Sequence, residues 1–208
     1  MHKNWKNKLL GESITEKGFA AIEIDESEII GNSEIIYWMF GLIDRVTKEA
    51  RIFCVLNDRT KNNLLPLVKN NVLSNDMNEF EDDENMEIDE EYQINTRIYS
   101  DCYSSYQVND FRNMGYILKR VNHSVWFGYG SFHTNNVEGL WSQIKRITNN
   151  FSGLSINKIN QMFTTAKEKK NYLDGWITYA LFLRNLERNK LSKNESIKYL
   201  VNFIKVNP

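Results

Sequence analysis

Short apolar runs alternate with polar breaks along the first half of the chain. Phe19–Ile24 (FAAIEI) is apolar up to Asp25 and Glu26 and predicts a central strand. Ile35–Ile43 (IIYWMFGLI) is rich in β-formers and bounded by polar residues, which predicts a second strand. Arg51–Leu56 (RIFCVL) predicts a third beyond a polar turn at 44–49, and the short connections imply an antiparallel meander. Leu64–Val72 (LLPLVKNNV) predicts a helix with Pro66 in its first turn, where proline is tolerated. Thr96–Ser100 (TRIYS) reads as a short strand ending at Asp101, and an αβ unit follows over roughly Ser104–Val121. A loop with two glycines (Gly128–Asn136) leads into a helix from Val137 to about Thr148. Ile156–Ile204 is Lys-rich with helical periodicity.

Three strands, a helix, a strand, an αβ unit and then helices is the order of a ribonuclease-H-like α/β fold. That fold has a central mixed sheet flanked by helices, here with a helical C-terminal extension. The expected organisation is a lead-in at 1–18, a ribonuclease-H-like domain over 19–150 and a helical extension over 151–208. An acidic insert at about 75–93 interrupts the middle domain and is expected to be an exposed loop.

Charge changes the picture only when it is localised. The net charge of −1 averages two unlike regions. Residues 76–91 hold ten acids and no Lys or Arg; elsewhere 26 basic residues face 17 acids. From Trp141 onward there are twelve basic and four acidic residues. A basic body with an acidic insert suits a polyanionic partner, although solvated Lys-rich helices would give the same balance. Hydrophobic residues make up 41%, enough for a packed core rather than a disordered chain. Two cysteines (Cys54, Cys102) and three histidines (His2, His123, His133) exclude a disulfide framework and a zinc ribbon. No run of 18 apolar residues and no export signal is visible, so an intracellular protein without a membrane partner is expected.

Three acids on three elements carry the chemical signal. Asp25 ends a predicted strand in AIEIDES, Asp101 follows one in RIYSDCY, and Glu138 opens a helix in HTNNVEGLWSQIK. Acids mounted on rigid elements and converging from distant segments are what a Mg²⁺-dependent phosphodiester chemistry needs. Each acid also has a plainer reading. Asp25 or Glu26 could simply terminate a strand, and Asp101 could start an Asx turn. Asn135 and Glu138 (N-x-x-E) fit a capping box. Alternation places Asp25 and Glu26 on opposite faces, so only one is expected to face a metal. Lys145 lies seven residues after Glu138, about 20° short of two helical turns, so the two share a stripe. His133 reads as active-site support or as structure, His123 as structure. Trp141 is expected in the core. Tyr103 and Tyr106 are expected to pack, with stacking on DNA as the alternative.

With these residues assembled, the chain resembles the DDE transposases of certain bacterial insertion sequences and their eukaryotic Merlin-type relatives. The resemblance runs from about Ala21 to about Lys145, with a weaker tail to about Asn185. It rests on EIDES, GLIDRVTKEARIFCVLNDRT, NLLPLV, IYSDCYSSY, GYILKRVNHS and HTNNVEGLWSQIKR, in that order. It implies Asp25, Asp101 and Glu138 as catalytic metal ligands for Mg²⁺ or Mn²⁺, with two ions expected. It implies Lys145 as a catalytic and DNA-binding cation, with Arg146 and Tyr103 as further DNA contacts. Glu26, His133 and Asn135 are supporting candidates, and Asn136 stays open beside Asn135 because some relatives place Asn third. Double-stranded DNA and a second copy of the chain are the implied partners. The implied location is the nucleus in a eukaryote, or the cytoplasm and nucleoid in a bacterium. Family members usually carry an N-terminal zinc ribbon or helix-turn-helix, for which this sequence offers no ligands. The implied activity is DNA cleavage and strand transfer. The alternatives are a catalytically inactive DNA-binding derivative and a nuclease without strand transfer.

Overall fold

The computed structural model describes residues 9–31, 36–56, 59–74, 96–121, 133–149 and 155–190. The acidic insert, His123, most of the 128–136 loop and the chain beyond 190 lie outside them.

A long first strand, β1 (Ala20–Gly31), pairs antiparallel with β2 (Ile36–Asp44), and β2 with β3 (Ala50–Leu56). Helix α1 (Lys61–Asn71) follows, then β4 (Thr96–Ser100), the short α2 (Val108–Arg112) and β5 (Ile117–Arg120). Strands β4 and β5 run parallel to β1, giving the order β3-β2-β1-β4-β5. Helices α3 (Asn135–Asn149), α4 (Ile156–Met162) and α5 (Ala166–Asn189) follow. An antiparallel meander continued by parallel strands and flanked by helices is the ribonuclease-H-like α/β arrangement that the element order predicts.

Alternation in β1 and β2 divides the core between two faces. Ile22, Ile24, Phe40 and Leu42 point to one face and pack with Leu64 and Val68 of α1 and Phe111 of α2. Met39 and Ile43 point to the other, against Val137, Leu140, Trp141 and Ile144 of α3 and Leu173 and Ile177 of α5. The edge strand β3 is covered by α5, where Asp174 Oδ1 accepts from the Cys54 amide at 3.0 Å. A capping box, Thr165 with Glu168, starts α5.

Three boundaries differ from expectation, each for a local reason. Strand β1 runs on to Gly31 because β2 pairs with it that far, so Asp25 and Glu26 are mid-strand rather than terminal. Helix α1 begins at Lys61, which puts Pro66 inside the helix. Pro66 is exposed, so water can reach the carbonyl that its missing N–H leaves unbonded. Helix α3 begins at Asn135, two residues early, because a buried carboxylate on β1 receives its first amides.

Candidate active site

The site grows out of an asymmetry in β1. Its pairing with β2 continues to Gly31, but its pairing with β4 is recorded only from Ala20–Thr96 to Glu23–Tyr99. Two residues further on each strand, Asp25 and Asp101 stand where the parallel ladder stops. The carboxyl of Asp25 is raised to about 6, first by burial, with repulsion from Asp101 and Glu138 adding to it. A hydrogen bond from Trp141 opposes the rise. Asp101 and Glu138 therefore both lie within electrostatic reach of Asp25.

Trp141 is in the core, as expected, but its indole also works at this site. Nε1 donates to Asp25 Oδ2 at 2.8 Å. Gly41 makes that possible. It lies directly across β2 from Asp25, and a Cβ there would stand 2.4 Å from Trp141 Cη2 and 2.7 Å from Cζ2. The ring lies on bare backbone, its polar edge aimed at the carboxylate.

Glu26 points to the opposite face of the sheet. Its side chain is 3% exposed, 4.0 Å from Arg59 Nη1, and its Oε1 is buried with no hydrogen-bond partner among the described residues. Burial raises its carboxyl to about 8, helped by Asp25 and Asp101 and opposed by Arg59. Arg59 is itself layered over Trp38 at 3.7 Å and Tyr103 at 4.8 Å. Opposite faces thus do not separate the two acids electrostatically, because Asp101 at the strand end repels both.

Asp101 is half-buried and does begin an Asx turn: the Tyr103 amide donates to Oδ1 at 3.0 Å. Tyr103 packs edge-on against Tyr106 at 5.7 Å, and Tyr106 is fully buried. Glu138 is exposed, and its Oε1 accepts from the Thr134 hydroxyl at 2.9 Å. The N-x-x-E capping box does not form, because Asn135 is already helical and Thr134 supplies the carbonyl for the Glu138 amide. Lys145 is exposed on the Glu138 stripe. Arg146 points toward α5 and pairs with Glu187 at 2.8 Å. Asn135 is exposed at the helix start.

Glu23 is the residue that sequence reading passed over. It shares a face with Asp25 and is fully buried. Its oxygens accept from Arg45 Nε at 2.7 Å, Asn136 N at 2.8 Å, Asn136 Nδ2 at 2.6 Å and Val137 N at 2.9 Å. The negative end of the arrangement is thus set against the N-terminus of α3. His133 sits 3.4 Å from Glu23, and burial first, then Arg45, lowers its pKa, with Glu23 opposing. His133 also offers its carbonyl to Arg45. His133 and Asn136 are therefore parts of the α3 anchor. The available signal was alternation: an acid at 23 must face the same side as Asp25.

The donor set suits a hard divalent cation, since it consists of carboxylate oxygens that repel one another and are held partly away from water. Among the described residues, no three His, Cys, Asp or Glu side chains enclose a ready-made ion site. Glu138 is turned to Thr134 and Asp25 to Trp141. No described helix is long and apolar enough to cross a membrane.

No protein-family model matches the chain, and no curated protein sequence matches it. Solved structures similar to it include the HTLV-2 integrase catalytic core domain in complex with magnesium. The dimeric form has 11% identity and TM-score 0.43, over 78% of this chain and 83% of that one. The trimeric form has 12% identity and TM-score 0.41, over 78% and 82%. A simian T-cell lymphotropic virus intasome in complex with the PP2A regulatory subunit B56 gamma has 8% identity and TM-score 0.39, over 83% of this chain and 50% of that one.

Proposed function

We propose that the chain is the catalytic domain of a DDE-type transposase, cutting and joining DNA with Mg²⁺ or Mn²⁺. The observation that carries this reading is the convergence of Asp25, Asp101 and Glu138 from a strand, a strand end and a helix start. Burial first, then repulsion from Asp101 and Glu138, raises the Asp25 carboxyl to about 6. A partly buried carboxyl that two neighbouring acids repel is one that a cation would stabilise.

When bound, two divalent ions would activate a water and steady the leaving oxygen of the phosphodiester. The chain's own residues do the positioning. Trp141 holds Asp25 Oδ2, and the Tyr103 amide holds Asp101 Oδ1. Asp25, Asp101 and Glu138 would hold the ions, Glu138 by exchanging its bond from Thr134. Lys145, on the same stripe, holds a DNA phosphate. Double-stranded DNA is the substrate, and a second copy of the chain is the natural partner where two ends are joined. Such work belongs in the nucleus of a eukaryote or the nucleoid of a bacterium.

One observation favours a second reading, a non-catalytic DNA-binding derivative: each acid already has a protein hydrogen-bond donor. Nicking of supercoiled plasmid by the purified chain separates the two. Metal-dependent nicking that vanishes with chelator and in Asp101→Ala supports the enzyme. Folded protein that binds DNA but never nicks it with either ion supports the derivative.

A further inference from the structure

A groove of about 500 Å³ lies between α3, the end of α5 and the β2–β3 turn. Lys48, Arg146, Arg184 and Arg188 line it, with Glu187 as the one acid. Glu187 pairs with Arg146 at 2.8 Å, which leaves the groove's four cations with one acid and a net charge of +3. The other cations are held by neutral groups. Buried Arg184 donates to Gln143 Oε1 at 2.8 Å and to the Lys48 carbonyl at 3.4 and 3.3 Å. Arg188 donates to the same carbonyl at 2.8 Å and to that of Thr47. Lys48, in the left-handed region at φ 59, donates to Asn136 Oδ1 at 2.6 Å.

Carbonyls and amides fix these side chains without cancelling their charge. The consequence is visible in Arg184, which burial and then the neighbouring Arg188 push down to about 10. In Lys48, burial is the chief lowering cause; Arg45 and Arg188 add to it, and Glu23 and Asp44 oppose it. Fixed, crowded guanidiniums are suited to a phosphodiester backbone, which they meet with paired donors. An acidic peptide would also need apolar anchors, and Ile43 and Leu140 are the only large apolar residues in the wall.

At 100° per residue, Asn136 and Gln143 lie roughly 140–160° round α3 from Glu138, and Arg146 lies about 80° from it. The groove therefore begins on the flank of α3 beside the acids and continues round the helix away from them. We propose that this groove binds the DNA backbone along that flank, beyond the acids. The groove's anion binding stands on its own charge; the identification of the anion as DNA rests on the proposed function.

The test measures binding of a short fluorescent duplex to the whole chain across a salt series. Arg146→Gln with Arg188→Gln should weaken binding about tenfold and lower the slope of log K against log salt by about 1–2. Arg188→Lys, which keeps the charge and loses the forked tether, should retain the wild-type slope. An unchanged slope in the double variant, shown folded by its melting curve, overturns the proposal. So does displacement of the duplex by inorganic phosphate at an ionic strength where chloride has no effect, which would mark a small-anion subsite. Poly-glutamate binding that depends on the two arginines, while duplex binding does not, would assign the groove to an acidic protein. Plasmid nicking, read in parallel, keeps the two ideas apart. Absent nicking with arginine-dependent binding removes the enzyme and leaves the groove; nicking with arginine-independent binding does the reverse.

Discussion

Glu23 and Asp25 stand on the same face of the same strand, two residues apart, and their surroundings are opposite. Around Glu23, four donors from Arg45, Asn136 and Val137 lie at 2.6–2.9 Å. Around Asp25 there are two donors, the Trp141 indole and the Glu26 backbone amide, and two further acids that repel it. A fully satisfied buried carboxylate is a fastener, here joining β1 to the start of α3. An under-satisfied one is a position waiting for positive charge. The two are mechanically linked, because the fastener sets where Glu138 emerges relative to Asp25.

The sharpest way to break this contrast is to exchange the two roles. Glu23→Ala removes the carboxylate that balances Arg45 and leaves the first amides of α3 without their acceptor. It should destabilise the fold by about 3–5 kcal/mol, read by denaturant unfolding. Asp25→Ala in metal-free protein should cost little or even stabilise, because it removes a repelled charge. Equal losses from the two substitutions would remove the distinction between fastener and ligand.

The next largest effect is on pH dependence without metal. Asp25 rises from 3.8 to about 6 and Glu26 from 4.5 to about 8, chiefly through burial. Below about pH 4 both folded and unfolded chains hold these protons and no penalty applies. As the pH rises toward 8, the unfolded chain releases protons that the folded chain keeps. Metal-free stability should therefore fall across that window, by several kcal/mol, and level off above it. Melting curves in chelator at several pH values measure this. Asp25→Asn with Glu26→Gln should flatten the decline, and Mn²⁺ should restore stability at pH 8 by binding only the folded state. A metal-free protein that grows more stable toward pH 8, with the double variant unchanged, would contradict the assignment.

Much of the fold could be read from the sequence because its strands are short apolar runs with clear ends. Ile36–Asp44, Ala50–Leu56 and Thr96–Ser100 fall within a residue of expectation. Asp25, Asp101 and Glu138 are expected to converge from separate elements; Asp101 and Glu138 each act electrostatically on Asp25, and no three acids among the described residues enclose an ion site. What the sequence concealed depends on contacts between distant segments. The length of β1 depends on its partner β2, and the start of α3 on Glu23, more than a hundred residues away. The indole of Trp141 looked like an ordinary core side chain. Its reach to Asp25 depends on a glycine in another strand, and no local pattern records that.

Gly41 offers a gentler way to sharpen the contrast, since it alters the geometry of Asp25 without touching a charge. In Gly41→Ala the new Cβ would lie 2.4 Å from the indole, so Trp141 must move and its bond to Asp25 is lost. A destabilisation of about 1–3 kcal/mol is expected from overpacking. Mn²⁺ affinity, followed by calorimetry, should weaken as well. Trp141→Phe relieves any crowding yet still removes the donor, so it should reproduce the affinity loss in the Gly41 background and in the wild type alike. Normal metal affinity in both variants would reduce Trp141 to packing.

The smallest effect concerns Thr134, and it asks whether Glu138 is tethered or poised. The Thr134 hydroxyl, in a residue 2% exposed, donates to Glu138 Oε1 at 2.9 Å. Thr134→Val keeps the shape and deletes that donor, which should cost the fold about 0.5–1.5 kcal/mol. If Glu138 has to leave Thr134 to meet a cation, the variant no longer breaks that bond on loading. Mn²⁺ should then bind about two- to fivefold more tightly, the equivalent of roughly 0.5–1 kcal/mol. A tenfold loss of affinity would mean the reverse: the hydroxyl aims Glu138 at the cation, and the start of α3 is already arranged as a ligand holder. Comparing the same substitution in a Glu138→Gln background settles which, because only a direct role for the Glu138 carboxylate makes the two changes non-additive.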